Sequence, residues 1–248
     1  MVADVQHGEA LVLRYTNYGE ADRILTLLTA EHGLQRGFAR SARNSRKRFS
    51  GTLEPFCRAI FSWNRGRGTL WSLRDAELIS SHNGLRSDLL ALALASYGVE
   101  LVELLLEEGE PQPIVYAMLC NFLEFLARGG DGPSARVLLE LRLSHLLGYL
   151  PHLLHCSECQ RVFKEQEAIR FCAQRGGSLC LECAGRDGLD IALGSVGSLA
   201  RSLKTAPWLF DNFRFGEQTC RDASLLLADV LQQILPREPK SLRFLSSL

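Results

Sequence analysis

The N-terminal third of the chain alternates short apolar runs with glycine-containing turns, a pattern typical of β-structure. The runs predict strands over 9–16, 22–29, 34–41, 56–64 and 69–77. Residues 65–68, Arg-Gly-Arg-Gly, separate the last two runs and predict a hairpin. Five strands in so short a segment favour a closed barrel of the OB type, although an SH3-like barrel or an open sheet would give the same pattern.

The period of the apolar positions becomes helical after residue 81. It predicts helices over 84–108, 111–126 and 133–147, the last two opened by prolines and ended by glycines. Helical spacing returns over 194–205 and 217–235, and an apolar cluster near the C-terminus is expected to dock on the fold. The sequence therefore predicts an α+β protein, with a barrel domain over 1–80 and an all-helical domain over 81–248. A small insertion at 151–190 interrupts the helical domain.

Four of the eight cysteines form two Cys-x-x-Cys motifs that are separated by twenty residues: Cys156, Cys159, Cys180 and Cys183. Two such motifs can bring four thiolates to one tetrahedral Zn²⁺, and a separation of ~15–20 residues is the usual one. Because four sulfur ligands fill the coordination shell, we expect one structural zinc ion in a ribbon. An unmetallated cysteine cluster or a redox pair is the alternative. Cys172 fits neither motif, and we expect it to be a packing residue.

The formal net charge is zero, but the charges are unevenly distributed. Residues 35–74 carry ten basic side chains against one acid, Glu54, whereas residues 81–150 have a net charge of −5. Such a basic stretch favours contact with phosphate backbones, and a solvated loop without a partner is the alternative. The candidate nucleic-acid-binding residues, which we call the barrel cations, are Arg36, Arg40, Arg43, Arg46, Lys47, Arg48, Arg65 and Arg67.

Aromatic residues are interleaved with the barrel cations: Phe38, Phe49, Trp63 and Trp71. Single-strand binders combine a basic groove with aromatic platforms for the bases, so stacking is one role for these rings. A barrel this small must also fill its interior from alternate strand positions. We therefore expect Phe38 and Trp71 to face inward.

Several classes of protein are excluded by what the sequence lacks. No apolar run reaches the ~18–20 residues of a membrane helix, and the N-terminus has no signal-peptide pattern. We expect a cytoplasmic protein without a membrane partner. None of the lysines follows a glycine, so a P-loop is excluded, and no other motif indicates an active site. The sequence therefore predicts a protein that is not an enzyme.

Short runs along the whole chain resemble, in the same order, those of the bacterial recombination mediator family RecO. The runs are YGEADR at 18–23, TAEHG at 29–33, ARSAR at 39–43, LEPF at 53–56, LELRL at 139–143, LGY at 147–149 and KSLR at 240–243. The resemblance implies an OB domain, a helical domain and a zinc ribbon.

The resemblance also implies a role in DNA repair through the RecFOR pathway. Members of this family bind single- and double-stranded DNA and anneal complementary strands. With RecR they help RecA replace single-strand-binding protein (SSB) on DNA, with a functional link to RecF. This implies action at the nucleoid.

The family binds the acidic C-terminal tail of SSB in an apolar pocket with a basic rim on the helical domain. In the acidic central block, Arg128, Arg136 and Arg142 are the candidate cations for that tail. Arg136 and Arg142 lie about 120° apart on one helix, so at most one of them lines the pocket. We expect Arg142 to be that residue. Ordinary ion pairing with Glu124 or Glu140 is the alternative.

Two other functional classes are left open by the residues themselves. A zinc-ribbon protein with a basic barrel could be a transcription or translation accessory factor that binds structured nucleic acid. A metal-dependent nuclease is the least favoured class, because the basic domain lacks the acidic cluster that such an enzyme needs.

Overall fold

The computed structural model describes residues 5–45, 47–65, 69–245 and 247–248. Within these residues the N-terminal part is a closed barrel of β1 (Gln6–Tyr18), β2 (Asp22–Thr29), β3 (Gly33–Ala39), β4 (Arg58–Arg65) and β5 (Trp71–Ser80). The strand order is β1-β2-β3-β5-β4. Strands β3 and β5 run parallel where the barrel closes, and the other neighbours are antiparallel. The closed barrel excludes the open sheet and confirms the predicted fold class.

Strand β1 extends beyond the predicted 9–16 at both ends, and β5 begins and ends later than the predicted 69–77. Two further strand ends differ from the predicted ones for local reasons. Strand β3 ends at Ala39 because the chain turns at Ser41, whose φ of 53° is left-handed. Strand β4 begins at Arg58 because Phe56 also has a positive φ, 71°, which extended backbone does not permit. Strands β4 and β5 pair as predicted, with Arg65 opposite Trp71, and the tip of their hairpin at 66–68 lies outside the described residues.

The turn between β2 and β3 lies against the helical part of the molecule. Gly33 has a φ of +61°, and a Cβ at this position would lie 1.8 Å from the carbonyl oxygen of Glu110. The backbone N–H of Gly109 donates to the carbonyl of Leu34 at 2.9 Å. Glycine is thus required here by both the turn and the close approach of a second chain segment.

Three long helices follow the barrel: α1 (Leu89–Leu105), α2 (Pro113–Ala127) and α3 (Gly132–Leu146). Helix α1 begins at Leu89 rather than at the predicted residue 84. The carboxylate of Asp88 caps it by accepting from the N–H groups of Leu90 and Ala91, at 2.8 and 3.4 Å. Helix α3 is central, because every residue from 137 to 144 is buried.

A small three-stranded sheet follows α3, formed by β6 (Ala168–Cys172), β7 (Gly177–Cys180) and β8 (Leu189–Ala192), with β6 in the middle. The one-turn helix α4 (Leu181–Ala184) lies between β7 and β8. The chain continues with α5 (Leu193–Ser202), α6 (Glu217–Ile234) and the short C-terminal helix α7 (Lys240–Leu245). The predicted docking of the C-terminal cluster is confirmed for Leu245, which is buried, whereas Phe244 is exposed.

The largest hydrophobic core is shared between the barrel and the helices. Its barrel members are Leu11, Leu13, Leu28, Leu34 and Phe56. They pack in one cluster with the buried faces of α1, α2 and α3. The other face of α3 packs against the small sheet, α5 and α6. Helix α3 therefore connects the packing of the whole helical part.

Candidate nucleic-acid surface and metal centre

The barrel cations lie on the outside of the barrel wherever the structure describes them. Arg36 is on β3, and Arg65 ends β4. Arg40, Arg43, Lys47 and Arg48 lie between β3 and β4, and all six side chains are exposed. Arg46 and Arg67 lie outside the described residues. The fold thus keeps these six cations in contact with solvent.

The segment after β3 is fixed by the turn between β1 and β2. The N–H of Ser41 donates to the carboxylate of Asp22 at 2.6 Å, and the N–H of Arg43 donates to the carbonyl of Ala21 at 3.0 Å. The Arg43 guanidinium donates to the carbonyl of Glu20 at 2.9 Å. Residues of the YGEADR run therefore hold the base of the basic segment, and this role was not evident from the sequence.

The exposed barrel cations differ in how far their charges are already engaged. Arg36 pairs with Glu108 at 2.6 Å, and the Arg48 guanidinium donates to the carbonyl of Arg40 at 2.7 Å. The side chains of Arg40, Lys47 and Arg65 form no ion pair within the described part of the chain. These three side chains are free to contact a polyanion.

The aromatic residues of the barrel serve mainly to fill its interior. Trp63 and Trp71 are 1% and 7% exposed and stack with their ring centroids 4.1 Å apart. The predicted inward orientation of Trp71 is confirmed, but that of Phe38 is wrong. Phe38 is partly exposed and packs edge-on against Tyr18, which is 58% exposed. Gly37 and Ala39 point inward instead, and Leu73 fills the space beside Gly37.

The four cysteines of the two Cys-x-x-Cys motifs meet at one point. Their sulfur atoms all lie within 4.8 Å of one another, and the Sγ atoms of Cys159 and Cys180 are 3.9 Å apart. In a tetrahedral site with Zn–S bonds of ~2.3 Å, neighbouring sulfur atoms lie about 3.8 Å apart. Cys172 is not in the cluster. The arrangement can hold one metal ion with four sulfur ligands.

The backbone around these cysteines favours the thiolate form that a metal requires. Burial opposes ionisation of Cys156, but hydrogen bonds from backbone N–H groups, led by that of Cys159, lower the pKa of this thiol to about 6. The backbone N–H of Cys183 likewise lowers the pKa of Cys180. A hydrogen bond with the Cys180 thiol raises the pKa of Cys183. A bound cation would stabilise the thiolate forms of Cys156, Cys180 and Cys183.

Charged side chains hold the loops that carry the cysteines. Arg161 pairs with Glu167 at 2.5 Å. The Arg175 guanidinium pairs with Glu158 at 2.7 Å and donates to the carbonyl of Cys183 at 2.6 Å. Arg175 thus ties one motif to the other, which fixes the spacing of the sulfur ligands.

The structure does not place Arg142 where the sequence led us to expect it. The side chain is 2% exposed, and its guanidinium donates to the carbonyls of Pro207 and Leu209 at 3.1 and 2.8 Å. It also donates to the Thr205 hydroxyl at 3.1 Å. These contacts commit the guanidinium to the loop between α5 and α6, so it does not face an open peptide pocket.

Arg136, on another face of α3, lines a cavity of about 460 Å³. Its guanidinium donates to the buried Glu140 carboxylate at 2.8 Å, and the Tyr97 hydroxyl donates to the same oxygen at 2.7 Å. The remaining walls come from α6, the segment between α6 and α7, and α7 itself, including Leu231, Gln232, Leu235, Arg237 and Leu242. Arg128 pairs with Glu124 and Asp211 on the surface. Arg128 and Arg136 are therefore engaged in ion pairs with Glu124 and Glu140, which agrees with the alternative of ordinary ion pairing.

In the part of the chain that the structure describes, no helix has both the length and the apolar character needed to cross a membrane.

The features above define a class of α+β proteins in which a small barrel with a basic surface precedes a helical domain with a four-cysteine centre.

Comparison with known proteins places the chain within this class. The family model for the N-terminal part of recombination protein O matches residues 3–82, and the model for its C-terminal part matches residues 86–243. The chain belongs to the RecO family of DNA repair proteins.

Relatives named DNA repair protein RecO match nearly the whole chain. The protein from Syntrophotalea carbinolica is 50% identical over 242 residues, which cover 97% of this chain and 93% of the relative. Those from Geobacter metallireducens and Geobacter sulfurreducens are 37% and 38% identical and cover 97% of this chain, and 96% and 97% of their own lengths.

Proposed function

We propose that this chain is a non-enzymatic recombination mediator that binds single- and double-stranded DNA through the barrel cations and anneals complementary strands. The observation that carries the proposal is the set of three exposed cations on one barrel, Arg40, Lys47 and Arg65, whose side chains form no ion pair within the described residues. Annealing requires no covalent chemistry. It requires two phosphate backbones to approach while their mutual repulsion is screened, and unpaired cations provide that screening.

The remaining steps of the proposal follow the family. With RecR, the chain would help RecA replace SSB on DNA, with a functional link to RecF, at the nucleoid in the cytoplasm. Membership of a DNA repair family favours this role over a transcription or translation factor. The metal proposed for the four cysteines is zinc, because a closed set of four thiolates suits this ion and leaves no position for substrate.

Charge reversal at the three unpaired barrel cations tests DNA binding. The variant Arg40→Glu, Lys47→Glu, Arg65→Glu should weaken single-strand binding about equally for all sequences, because phosphate contacts carry no base information. The slope of log affinity against log salt should fall by about 2, since each lost contact removes ~0.7. Fluorescence anisotropy with labelled oligonucleotides measures both quantities.

A control variant makes the same change in net charge elsewhere. Lys164→Glu, Arg186→Glu, Arg221→Glu alters three exposed side chains of the helical part. If the control weakens binding as much as the barrel variant, net charge alone explains the effect. If the folded barrel variant binds DNA with the wild-type affinity and salt slope, the proposal is contradicted.

We further propose that the acidic tail of SSB binds in the cavity beside Arg136. Its walls combine leucines with Arg136 and Arg237, which suits a peptide that ends in an aromatic residue and a free carboxylate. Both arginines already pair with carboxylates, Arg136 with Glu140 and Arg237 with Glu100, so the tail would compete for them. This replaces Arg142 as the expected tail-binding cation.

Two adjacent glutamines on α6 allow a matched test of the cavity. Gln232 lines it and Gln233 does not, and both are exposed. Gln232→Glu should weaken binding of a labelled acidic peptide about threefold or more, because a like charge within a few ångströms repels the carboxylates. Gln233→Glu should have a smaller effect. Equal peptide affinities for the two variants would place the tail elsewhere.

A further inference from the structure

The loop between α5 and α6 presents two large apolar side chains to solvent. Trp208 is 42% exposed and Leu209 is 40% exposed. The next residue, Phe210, is buried against Phe122 and Phe125, with ring centroids 5.6 and 6.0 Å apart. Trp208 is therefore exposed beside a firmly buried anchor.

A buried charge holds the same loop from beneath. The three hydrogen bonds of the Arg142 guanidinium end on residues 205, 207 and 209, so they bracket Trp208. Burial of this guanidinium is unfavourable, and it lowers the pKa of Arg142 to about 10. Arg142 is nevertheless buried, and its guanidinium N–H groups donate hydrogen bonds to this loop. The indole is thus presented on a rigid turn.

Two cations shortly before Trp208 in the sequence form no ion pair within the described residues. Arg201, in the last turn of α5, and Lys204 are both exposed and form no ion pair with other described residues. The acid of the loop, Asp211, is already paired with Arg128 at 3.5 Å. Among the described residues of the stretch 201–211, the charge left unpaired is therefore positive.

We propose that Trp208 is a stacking platform for a base of single-stranded nucleic acid, with Arg201 and Lys204 contacting the adjacent phosphates. A flat exposed ring with unpaired cations beside it is the arrangement by which proteins hold single strands without sequence preference. The site lies on the helical domain and is separate from the barrel cations. It provides a place for the second strand during annealing, and in this respect it rests on the proposed function.

The three tryptophans of the chain make the site directly observable. Trp63 and Trp71 are buried and stacked on each other inside the barrel, so a base that binds from solvent should quench Trp208. Short oligothymidine added to the full-length protein should lower tryptophan emission. The variant Trp208→Phe should lose most of this quenching.

Annealing rates separate stacking from mere proximity. Trp208→Ala should slow annealing of complementary oligonucleotides about fivefold or more, because stacking on an aromatic side chain is lost. Trp208→Phe keeps an aromatic ring and should retain most of the rate. Phe244→Ala removes an exposed ring from α7 and is the matched control, which should anneal at the wild-type rate.

The cations are tested by a paired charge reversal. Arg201→Glu, Lys204→Glu should lower the salt slope of single-strand binding more than Lys164→Glu, Arg186→Glu, by about 1.4 for two contacts. Equal slopes for these two double variants would show that Arg201 and Lys204 do not contact phosphate, which overturns the proposed site.

The outcomes distinguish this site from the proposed function. If anisotropy shows that the wild type binds the oligonucleotide while its emission is unchanged and Trp208→Ala anneals normally, the site is overturned and the proposed function stands. If the wild type binds no oligonucleotide by any measure, the proposed function fails, and this site fails with it. An emission change that depends on protein concentration without DNA would show a protein interface and overturn the nucleic-acid site.

Discussion

The ion pair between Arg36 and Glu108 joins a barrel cation to the acidic segment that follows α1. The two side chains meet at 2.6 Å although both are about half exposed. Such a pair adds little to stability, ~0–1 kcal/mol, but it occupies a cation that a phosphate could otherwise contact. If the barrel binds DNA as proposed, Glu108 would compete with phosphate for Arg36.

Removal of the Glu108 charge should strengthen DNA binding. Glu108→Gln frees Arg36, so single-strand affinity should rise and the salt slope should increase by about 0.7, the value for one added phosphate contact. Glu107→Gln, at the adjacent exposed acid, is the control for a general change in charge. Equal gains in the two variants, measured by anisotropy, would contradict competition at Arg36.

The cysteine cluster allows a residue-level test of the metal. The variant Cys156→Ser, Cys180→Ser should lose the single zinc ion that we expect in the wild type, because two sulfur ligands are removed. Cys172→Ser, outside the cluster, should keep it. Elemental analysis of protein purified without chelator decides both points. Wild-type protein without zinc would refute the assignment.

The roles of some residues could be predicted from the sequence, and those of others could not. The spacing of the cysteines predicted their meeting, because two short motifs bring their own ligands together. The role of Arg142 could not be predicted, because its partners at 205–209 are more than sixty positions away. The predicted inward orientation of Phe38 was wrong because Leu73, from another strand, fills the interior beside Gly37.

At the scale of elements, one carboxylate on α1 holds the start of helix α7. Glu100 accepts from the N–H groups of Lys240 and Ser241 at 3.0 and 2.9 Å, from the Ser241 hydroxyl at 2.7 Å and from Arg237 at 2.7 Å. Burial opposes ionisation of Glu100, but these hydrogen bonds, led by that from the Ser241 N–H, lower its pKa to about 2. The charged form therefore stabilises the docking of α7.

Neutralising this carboxylate should destabilise the protein. Glu100→Gln should lower the free energy of unfolding by about 1–3 kcal/mol at neutral pH, because charge-assisted hydrogen bonds are weakened. Glu103→Gln, one helical turn away, loses an exposed pair with Arg14 and should cost less than about 1 kcal/mol. Urea unfolding measures both changes.

The effect of Glu100 should depend on pH in a defined direction. The pKa in the folded protein, about 2, lies below the ordinary value of 4.5. The contribution is therefore complete above pH 4.5 and is lost as the pH falls toward 2. The stability difference between wild type and Glu100→Gln should narrow over that range, and a constant difference would contradict this account.

The elements themselves were largely predictable from the sequence. Prolines and glycines punctuate the helices, and the apolar period distinguishes them from the strands. Strand ends were less predictable, because Phe56 and Ser41 adopt left-handed conformations that their residue types do not predict. The attachment of α7 to Glu100 joins segments that are 140 positions apart, which local patterns cannot reveal.

At the scale of the whole molecule, the barrel and the helices should unfold together. Leu28→Ala in β2 removes a fully buried side chain from the shared core and should cost about 2–5 kcal/mol. In a Trp208→Phe background the remaining tryptophans are Trp63 and Trp71 of the barrel, so tryptophan emission reports the barrel. Far-ultraviolet circular dichroism reports the helices. The midpoints of both signals should shift by the same amount, and a shift confined to the barrel signal would contradict the shared core.

Sequence reasoning at this scale predicted a barrel followed by helices but not their common core. Leu11, Leu13 and Leu28 are ordinary strand leucines in the sequence, with nothing to show which face of the barrel they cover. Their outward contacts exist because α1 and α2 pack onto the barrel. Burial of this kind depends on tertiary docking, which a residue pattern does not encode locally.

The shared core limits how evolution or protein engineering can exchange parts between relatives. A hybrid that joins this barrel to the helices of a more distant RecO would unite two surfaces shaped by different neighbours. Leu11, Leu13, Leu28, Leu34 and Phe56 would then face a mismatched set of side chains, with voids or clashes in the centre of the molecule. A viable transplant must carry the complementary residues of α1 and α2 with the barrel, so the inherited unit is larger than either domain.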